Sequence, residues 1–206
     1  MLDATLLVMT SEVPAAELSE QELGEFGRCL TVLQGASAEE ALRLLFPRDS
    51  TELMSPAEAQ AWEAGDGWPD EDGPSVVRQA SYAGEWAGWT FVIEPFGFSG
   101  VNCDLTSRTP APSPYISVHW LEGDSSFVYA RQGQEVQSFE PVLRGGELAR
   151  TPPGEVVVLA EEEGLDWQGR PLSSAQALLD RLSGVQWPDV AVLRERARVA
   201  IGYSYS

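Results

Sequence analysis

The chain has 206 residues, of which 43% are hydrophobic and 9% aromatic, which excludes an apolar-poor disordered protein and suits one compact domain. Its 32 acidic and 13 basic residues give a formal charge of −19, which disfavours nucleic acid as a partner and favours either a basic protein partner or a monomer whose copies repel each other. Every basic residue is arginine, so chemistry that needs a lysine, such as a Walker A phosphate loop or a Schiff base, is excluded.

The N-terminus and the cysteines predict a cytoplasmic protein. Residues 1–9 are apolar but too few to span a membrane, and they lack the basic region of a secretory signal. We therefore expect no membrane partner. Cys29 and Cys103 are far apart in the sequence without CxxC spacing, and we predict that both are reduced and structural. No motif indicates a cofactor, and the oligomeric state is left open.

The negative charge is concentrated in the first part of the chain. Residues 1–75 carry a formal charge of −13 and residues 76–206 carry −6. The charge is densest in an acidic insert at about residues 47–74, whose Gly and Pro content predicts an exposed loop near its end. The EF-hand pattern fails there, because position twelve from Asp66 is Val77. Asp66, Asp70, Glu71 and Asp72 are typical of a solvated loop whose charges repel each other, and the alternatives are weak cation binding or recognition of a basic protein surface.

Three capping boxes, each with a Ser followed three residues later by a Glu, predict helices in the N-terminal part. They are Ser19/Glu22, Ser37/Glu40 and Ser55/Glu58. The second helix should end before Pro47, and the third has Pro56 at its favoured first position. Between the first two boxes, residues 28–34 favour a short strand because of Thr31 and Val32.

The middle of the chain predicts antiparallel strands at 76–82, 88–94, 115–121, 126–131 and 134–140, of which the last three form a meander. Gln132-Gly133 is a two-residue hairpin signal with positive φ supplied by the glycine. In the second strand, Trp89 and its alternate neighbours face one way and Glu94 faces the other, with half of the strand buried.

The C-terminal part predicts helices again, over 155–163, from Ser173 or Ser174 to Gly184, and from about Asp189 to Ala200. Helices and strands in separate blocks indicate an α+β fold. We predict a single domain, 1–206, with an antiparallel sheet of about five to six strands flanked by N-terminal and C-terminal helices. Residues 186–206 would form a helical extension.

Several strings resemble an actinobacterial domain-of-unknown-function family, number 6461. They are CLTVLQG at 29–35, SAEEAL at 37–42, GWTFVIEP at 88–95, FVYA at 127–130, FEP at 139–141 and AQALLDRLSGV at 175–185. The resemblance covers about residues 28–185. The shared strings are packing and turn motifs, so the resemblance implies a fold and no chemistry. The chain departs from the family in the acidic insert and after Val185.

His119 is the only histidine, so a Ser-His-Asp or Cys-His catalyst would have to use it. No GxSxG elbow accompanies it, and it is also consistent with an ordinary strand residue. A zinc site would require Cys29, Cys103, His119 and a carboxylate to converge without any local ligand pair, so we predict no metal.

Two glutamates end predicted strands and each precedes a proline, in Ile93-Glu94-Pro95 and Phe139-Glu140-Pro141. If both ends lie at one edge, Glu94 and Glu140 could form a carboxylate pair for acid/base chemistry, metal binding or ligand recognition. Alternatively, each Glu accepts hydrogen bonds from nearby loop amides.

Aromatic residues are dense between Tyr82 and Phe98, where they could line a pocket, form an interface or fill the core. We expect half of these aromatic residues to be buried in the sheet packing. Phe96 and Phe98 flank Gly97 in a predicted loop, and they are the two we expect to be exposed if anything binds there.

Two functional hypotheses of different classes follow. The first is a non-enzymatic acidic protein, immunity-like or inhibitor-like, that covers a basic partner such as the active site of a nuclease or another toxin. The second is a small-molecule binding protein or hydrolase that uses Glu94, Glu140 and His119 beside the aromatic loop.

Overall fold

The computed structural model of the chain describes residues 28–46, 52–64, 77–102, 113–121, 124–132, 134–139, 156, 164–165 and 171–205. Within these ranges, eight strands form one antiparallel sheet and four helices pack against it. The strands are β1 (Arg28–Leu33), β2 (Leu53–Met54), β3 (Val77–Trp86), β4 (Trp89–Glu94), β5 (Tyr115–Leu121), β6 (Asp124–Arg131), β7 (Gln134–Phe139) and β8 (Val199–Tyr205). The helices are α1 (Ala38–Leu45), α2 (Pro56–Ala64), α3 (Pro171–Ser183) and α4 (Val190–Glu195).

The order of the strands across the sheet is β2-β8-β3-β4-β1-β5-β6-β7. The chain is therefore α+β, as predicted, but the sheet has more strands than the five to six expected. The meander of β5, β6 and β7 is confirmed, and its second hairpin turns through Gln132, which has a φ of 52°. Strand β1 lies at the centre of the order, between β4 and β5, so its residues contact two neighbouring strands.

The sheet is covered on both faces at β4, which corrects the expectation that this strand is half buried. All six residues of β4 are buried. Trp89, Phe91 and Ile93 pack in a core under α3 and α4. Val92 packs on the opposite face under α1. Because β4 has no solvent-exposed face, alternate residues along it point into two different cores, one on each side of the sheet.

The predicted helix starts at Ser37 and Ser55 are both confirmed. Ser37 caps α1, with its backbone N–H donating to Glu40 at 2.7 Å and its hydroxyl accepting from the Glu40 N–H at 3.3 Å. Ser55 and Glu58 repeat the same distances before α2. Strand β2 and helix α2 belong to the acidic insert, so part of the insert packs on the sheet. The predicted start at Ser19 lies outside the described residues.

The C-terminal part differs from the prediction in two ways. Helix α3 begins at Pro171, before either predicted serine cap, and is followed by Gly184 with a φ of 68°. Helix α4 ends at Glu195, five residues before the predicted end near Ala200, and strand β8, which pairs with β3, begins at Val199. The helical extension predicted at 186–206 is therefore wrong from Val199 onwards, because pairing with β3 makes this segment a strand. The predicted helix at 155–163 lies outside the described residues, except for Val156.

Small residues in β8 explain how α2 approaches the sheet. A Cβ added at Gly202 would lie 2.9 Å from Met54 Cε and 3.2 Å from the Trp62 ring. Glu63 of α2 then accepts hydrogen bonds from Tyr82 Oη and Arg194 Nη2, each at 2.6 Å. These contacts join α2, β3 and α4 on one face of the sheet. In the described part of the chain, no helix is long and apolar enough to cross a membrane.

Candidate functional site

A row of three chemically active side chains crosses the centre of the sheet on the face that α1 shares. Cys29 of β1 is the register partner of Glu94 in β4 and of His119 in β5. Direct partners in antiparallel strands project to the same face, so the three side chains stand side by side. Cys29 and Glu94 have no exposed surface, and His119 is 6% exposed.

The loop that follows β4 covers this row, and we call residues 95–102 the Phe loop. Glu94, which immediately precedes the loop, holds it by accepting two backbone hydrogen bonds. The Ser99 N–H donates to Oε2 at 2.9 Å and the Gly100 N–H donates to Oε1 at 2.8 Å. The hydroxyl of Tyr115 donates to the Gly100 carbonyl oxygen at 2.5 Å, which fixes the loop from β5.

Beneath the Phe loop lies a small cluster of buried hydroxyls. Thr31 Oγ1 and Ser117 Oγ are 2.9 Å apart, and Ser117 Oγ is 3.3 Å from Cys29 Sγ. Gly100 rests directly on this cluster, because an added Cβ would clash with Thr31 Oγ1 and lie 2.5 Å from Ser117 Oγ. An added Cβ at Gly97 would likewise clash with the Glu94 carboxylate. The loop backbone can approach this closely only where glycine stands.

Burial shifts the protonation equilibria of the two acidic groups in the row. It raises the pKa of the Glu94 carboxyl above its ordinary value, while the hydrogen bonds from Ser99 and Gly100 oppose part of that shift. Burial, and then the charge of Glu94, raises the pKa of the Cys29 thiol. A thiol with a raised pKa stays protonated at neutral pH, and Cys29 therefore lacks the thiolate character of a nucleophile.

The two phenylalanines of the Phe loop are exposed, as expected. Phe96 is 49% exposed and Phe98 is 57% exposed. The ring of Phe98 stands edge-on to His119, with 6.0 Å between the ring centroids. His119 is therefore a buried strand residue that packs beside the loop. Val192 on α4, at 39%, is the other exposed large hydrophobic residue in the described part of the chain.

The structure brings four of the predicted site residues together and leaves the others outside its description. Glu94, His119, Phe96 and Phe98 are neighbours at the Phe loop. The described residues include no group of three or more His, Cys, Asp or Glu side chains able to hold a metal ion. The residues that lie outside the described ranges are Glu140, Asp66, Asp70, Glu71, Asp72 and Cys103.

Sequence reasoning missed the hydroxyl cluster and the role of Gly100. Thr31 and Ser117 belong to strands far apart in the chain, and only their register in β1 and β5 makes them partners. A signal was present, however. Polar residues alternate with apolar ones in Cys29-Leu30-Thr31-Val32 and in Ile116-Ser117-Val118-His119, which marks a polar layer on one face of a buried strand pair.

Comparison with known proteins identifies the family and no function. A family model described as a family of unknown function (DUF6461) matches residues 16–197. The match begins before and extends beyond the segment at 28–185 that carried the resemblance, and it includes the acidic insert. No curated protein and no solved structure matches the chain.

Proposed function

The chain belongs to this family of unknown function (DUF6461), whose description states no activity, and we propose on structural grounds that it binds a basic protein partner. In this proposal the chain is a non-enzymatic acidic protein, immunity-like or inhibitor-like. The observation that carries the proposal is the pair of exposed phenylalanines on a loop anchored to the centre of the sheet.

The Phe loop has the properties of an interaction anchor. Exposed aromatic side chains supply a large contact area at low cost in side-chain entropy, and they dominate many protein interfaces. Phe96 and Phe98 are the two most exposed large hydrophobic residues in the described ranges. Two backbone hydrogen bonds to Glu94 already fix the loop that carries them, which lowers the entropy lost on binding.

The charge of the chain favours a basic partner. The formal charge is −19, and the described ranges contain twelve acidic residues and eight arginines, a charge of −4. Most of the negative charge therefore belongs to the rest of the chain, including Asp70, Glu71 and Asp72 of the acidic insert. A strong negative field speeds association with a basic protein and disfavours acidic competitors. Aromatic faces also attract the arginine and lysine side chains of such a partner.

The burial of Glu94 and Cys29 under the Phe loop favours binding over hydrolysis by these two groups. The Glu94 carboxylate is buried and already accepts two loop amides. The Cys29 thiol is buried and has a raised pKa. A general base or nucleophile must reach the substrate, and neither group does so while the Phe loop is in place. The pairing of Glu94 with Glu140 stays a prediction.

The proposal is tested by capture from an actinobacterial lysate, with the tagged chain and a double variant, Phe96→Ala with Phe98→Ala. Val192→Ala is the matched control, because it removes the third exposed hydrophobic side chain from a different element. We expect the wild type and the Val192→Ala variant to retain the same basic protein, and the double variant to lose it. Truncation of two interface aromatics costs about 2 kcal/mol or more, which lowers affinity about 30-fold.

A second variant tests the contribution of charge. The triple variant Asp70→Lys, Glu71→Lys, Asp72→Lys should capture less of the partner at moderate salt. Capture by the wild type should itself decrease as the salt concentration is raised. A protein retained equally by the wild type and the Phe96→Ala, Phe98→Ala variant would contradict the proposal. Phe-dependent capture of an acidic protein would contradict the basic partner.

A further inference from the structure

We propose that Glu94 is the positioning residue of the Phe loop, and that its buried carboxyl group preorganises Phe96 and Phe98 for the partner. The inference rests on the proposed function. It assigns to Glu94 a role through the loop, with no contact to the partner required, because Glu94 has no exposed surface.

The geometry makes Glu94 the link between the sheet and the loop. Its backbone pairs with Cys29 in the sheet, and its side chain reaches forward to the amides five and six residues later. The two oxygens are used separately, since Oε2 accepts from Ser99 and Oε1 from Gly100. Phe98 immediately precedes these two amides, so fixing them fixes the direction in which its side chain leaves the loop.

Four further contacts hold the loop in this position. Gly97 passes directly over the Glu94 carboxyl, and Gly100 rests on Thr31 and Ser117. The Gly100 carbonyl accepts from Tyr115, so its peptide groups are held from both sides. A second turn contact, from the Asn102 N–H to the Phe98 carbonyl at 3.3 Å, closes the segment that carries Phe98. The loop is therefore built for one conformation.

The substitution Glu94→Gln separates positioning from packing. Glutamine has nearly the same shape as glutamate, but its amide group offers one acceptor oxygen and an NH2 donor. One of the two loop amides, Ser99 or Gly100, would then face a donor and lose its hydrogen bond. Glu85→Gln is the matched control. Glu85 is an exposed glutamate of β3, and none of the described hydrogen bonds joins it to the Phe loop.

The first measurement is amide hydrogen exchange on the free protein. We expect Glu94→Gln to speed exchange at Ser99 or Gly100 about tenfold, as for loss of one buried hydrogen bond. Amides in the centre of the sheet, such as those of Leu30 and Phe91, should keep their protection, as should all amides in Glu85→Gln. Equal losses in the loop and the sheet would identify Glu94 as a general stability residue and overturn the inference, as would unchanged exchange at both loop amides.

The second measurement is binding kinetics with the basic protein captured by the wild type. If only about a tenth of the Glu94→Gln molecules hold the loop in the conformation that binds the partner, the association rate and the affinity should both decrease about tenfold. Phe98→Ala should instead speed dissociation, because it removes a contact. Unchanged binding in Glu94→Gln overturns the inference and leaves the proposed function intact. Unchanged binding in the Phe96→Ala, Phe98→Ala variant overturns the proposed function, whatever the exchange data show.

Discussion

Replacing Gly100 by alanine tests whether the Phe loop rests on the hydroxyl cluster. The added Cβ would clash with Thr31 Oγ1, lie 2.5 Å from Ser117 Oγ and lie 3.0 Å from Cys29 Sγ. These three side chains have no exposed surface, and they cannot move into solvent without disturbing the centre of the sheet. Overpacking of a buried site typically costs about 1–3 kcal/mol, and we expect a loss of stability in this range.

A double-mutant cycle, measured by urea denaturation, tests whether this loss of stability comes from the clash with Thr31 and Ser117. Thr31→Ala with Ser117→Ala removes both oxygens that the new Cβ meets, and it removes both partners of their mutual hydrogen bond at once. In that background, Gly100→Ala should cost about 1–2 kcal/mol less than in the wild type. Additive costs, within about 0.5 kcal/mol, would refute the close approach of the loop to the cluster.

Three further predictions concern protonation, thiol reactivity and helix capping. Burial raises the pKa of Glu94 in the folded protein, so ionisation of this group favours the unfolded chain. Its contribution to the free energy of unfolding is complete below the ordinary pKa of 4.5 and is lost as the pH rises through the pKa of the folded protein. The difference in unfolding free energy between the wild type and Glu94→Gln should therefore be larger at about pH 5 than at about pH 8; a difference that grows with pH would contradict the direction of the shift. Cys29 should react with Ellman's reagent only after unfolding, tested in a Cys103→Ser background, whereas fast reaction in the folded protein would show that the loop does not shield it. Ser37→Ala and Ser55→Ala should each lower the free energy of unfolding by about 1 kcal/mol in urea titrations, and no loss in either would argue against its cap.

Local signals predicted the helices and strands that depend on neighbouring residues. The capping boxes at Ser37 and Ser55 place α1 and α2 correctly, because the reciprocal hydrogen bonds involve residues only three apart. The meander was predictable for the same reason, since β6 and β7 are joined by a two-residue turn. These elements need no knowledge of the rest of the fold.

Elements that depend on distant partners were the ones missed. Strand β8 is stabilised by pairing with β3, more than a hundred residues earlier, and by the fit of Met54 and Trp62 over Gly202. The sequence of Val199–Tyr205 alone gives no signal that α2 will pack against this segment. Burial of β4 on both faces depends in the same way on helices from both ends of the chain.

The candidate site was predicted in part for a physical reason that the fold makes clear. Sequence reasoning recognised that Glu94 ends a strand and could accept hydrogen bonds from loop amides, and this alternative is the one the structure has. It also identified Phe96 and Phe98 as exposed. The packing of Gly100 on the hydroxyl cluster was not predictable, because it requires the register between β1 and β5 that brings Thr31 to Ser117.

The most direct test of the central claim is a calorimetric titration of the captured basic protein into wild-type chain, Phe98→Ala and Val192→Ala. We expect Phe98→Ala to weaken binding by about tenfold or more and Val192→Ala to bind as the wild type does. Equal affinities for all three proteins would contradict the claim that the Phe loop is the binding surface.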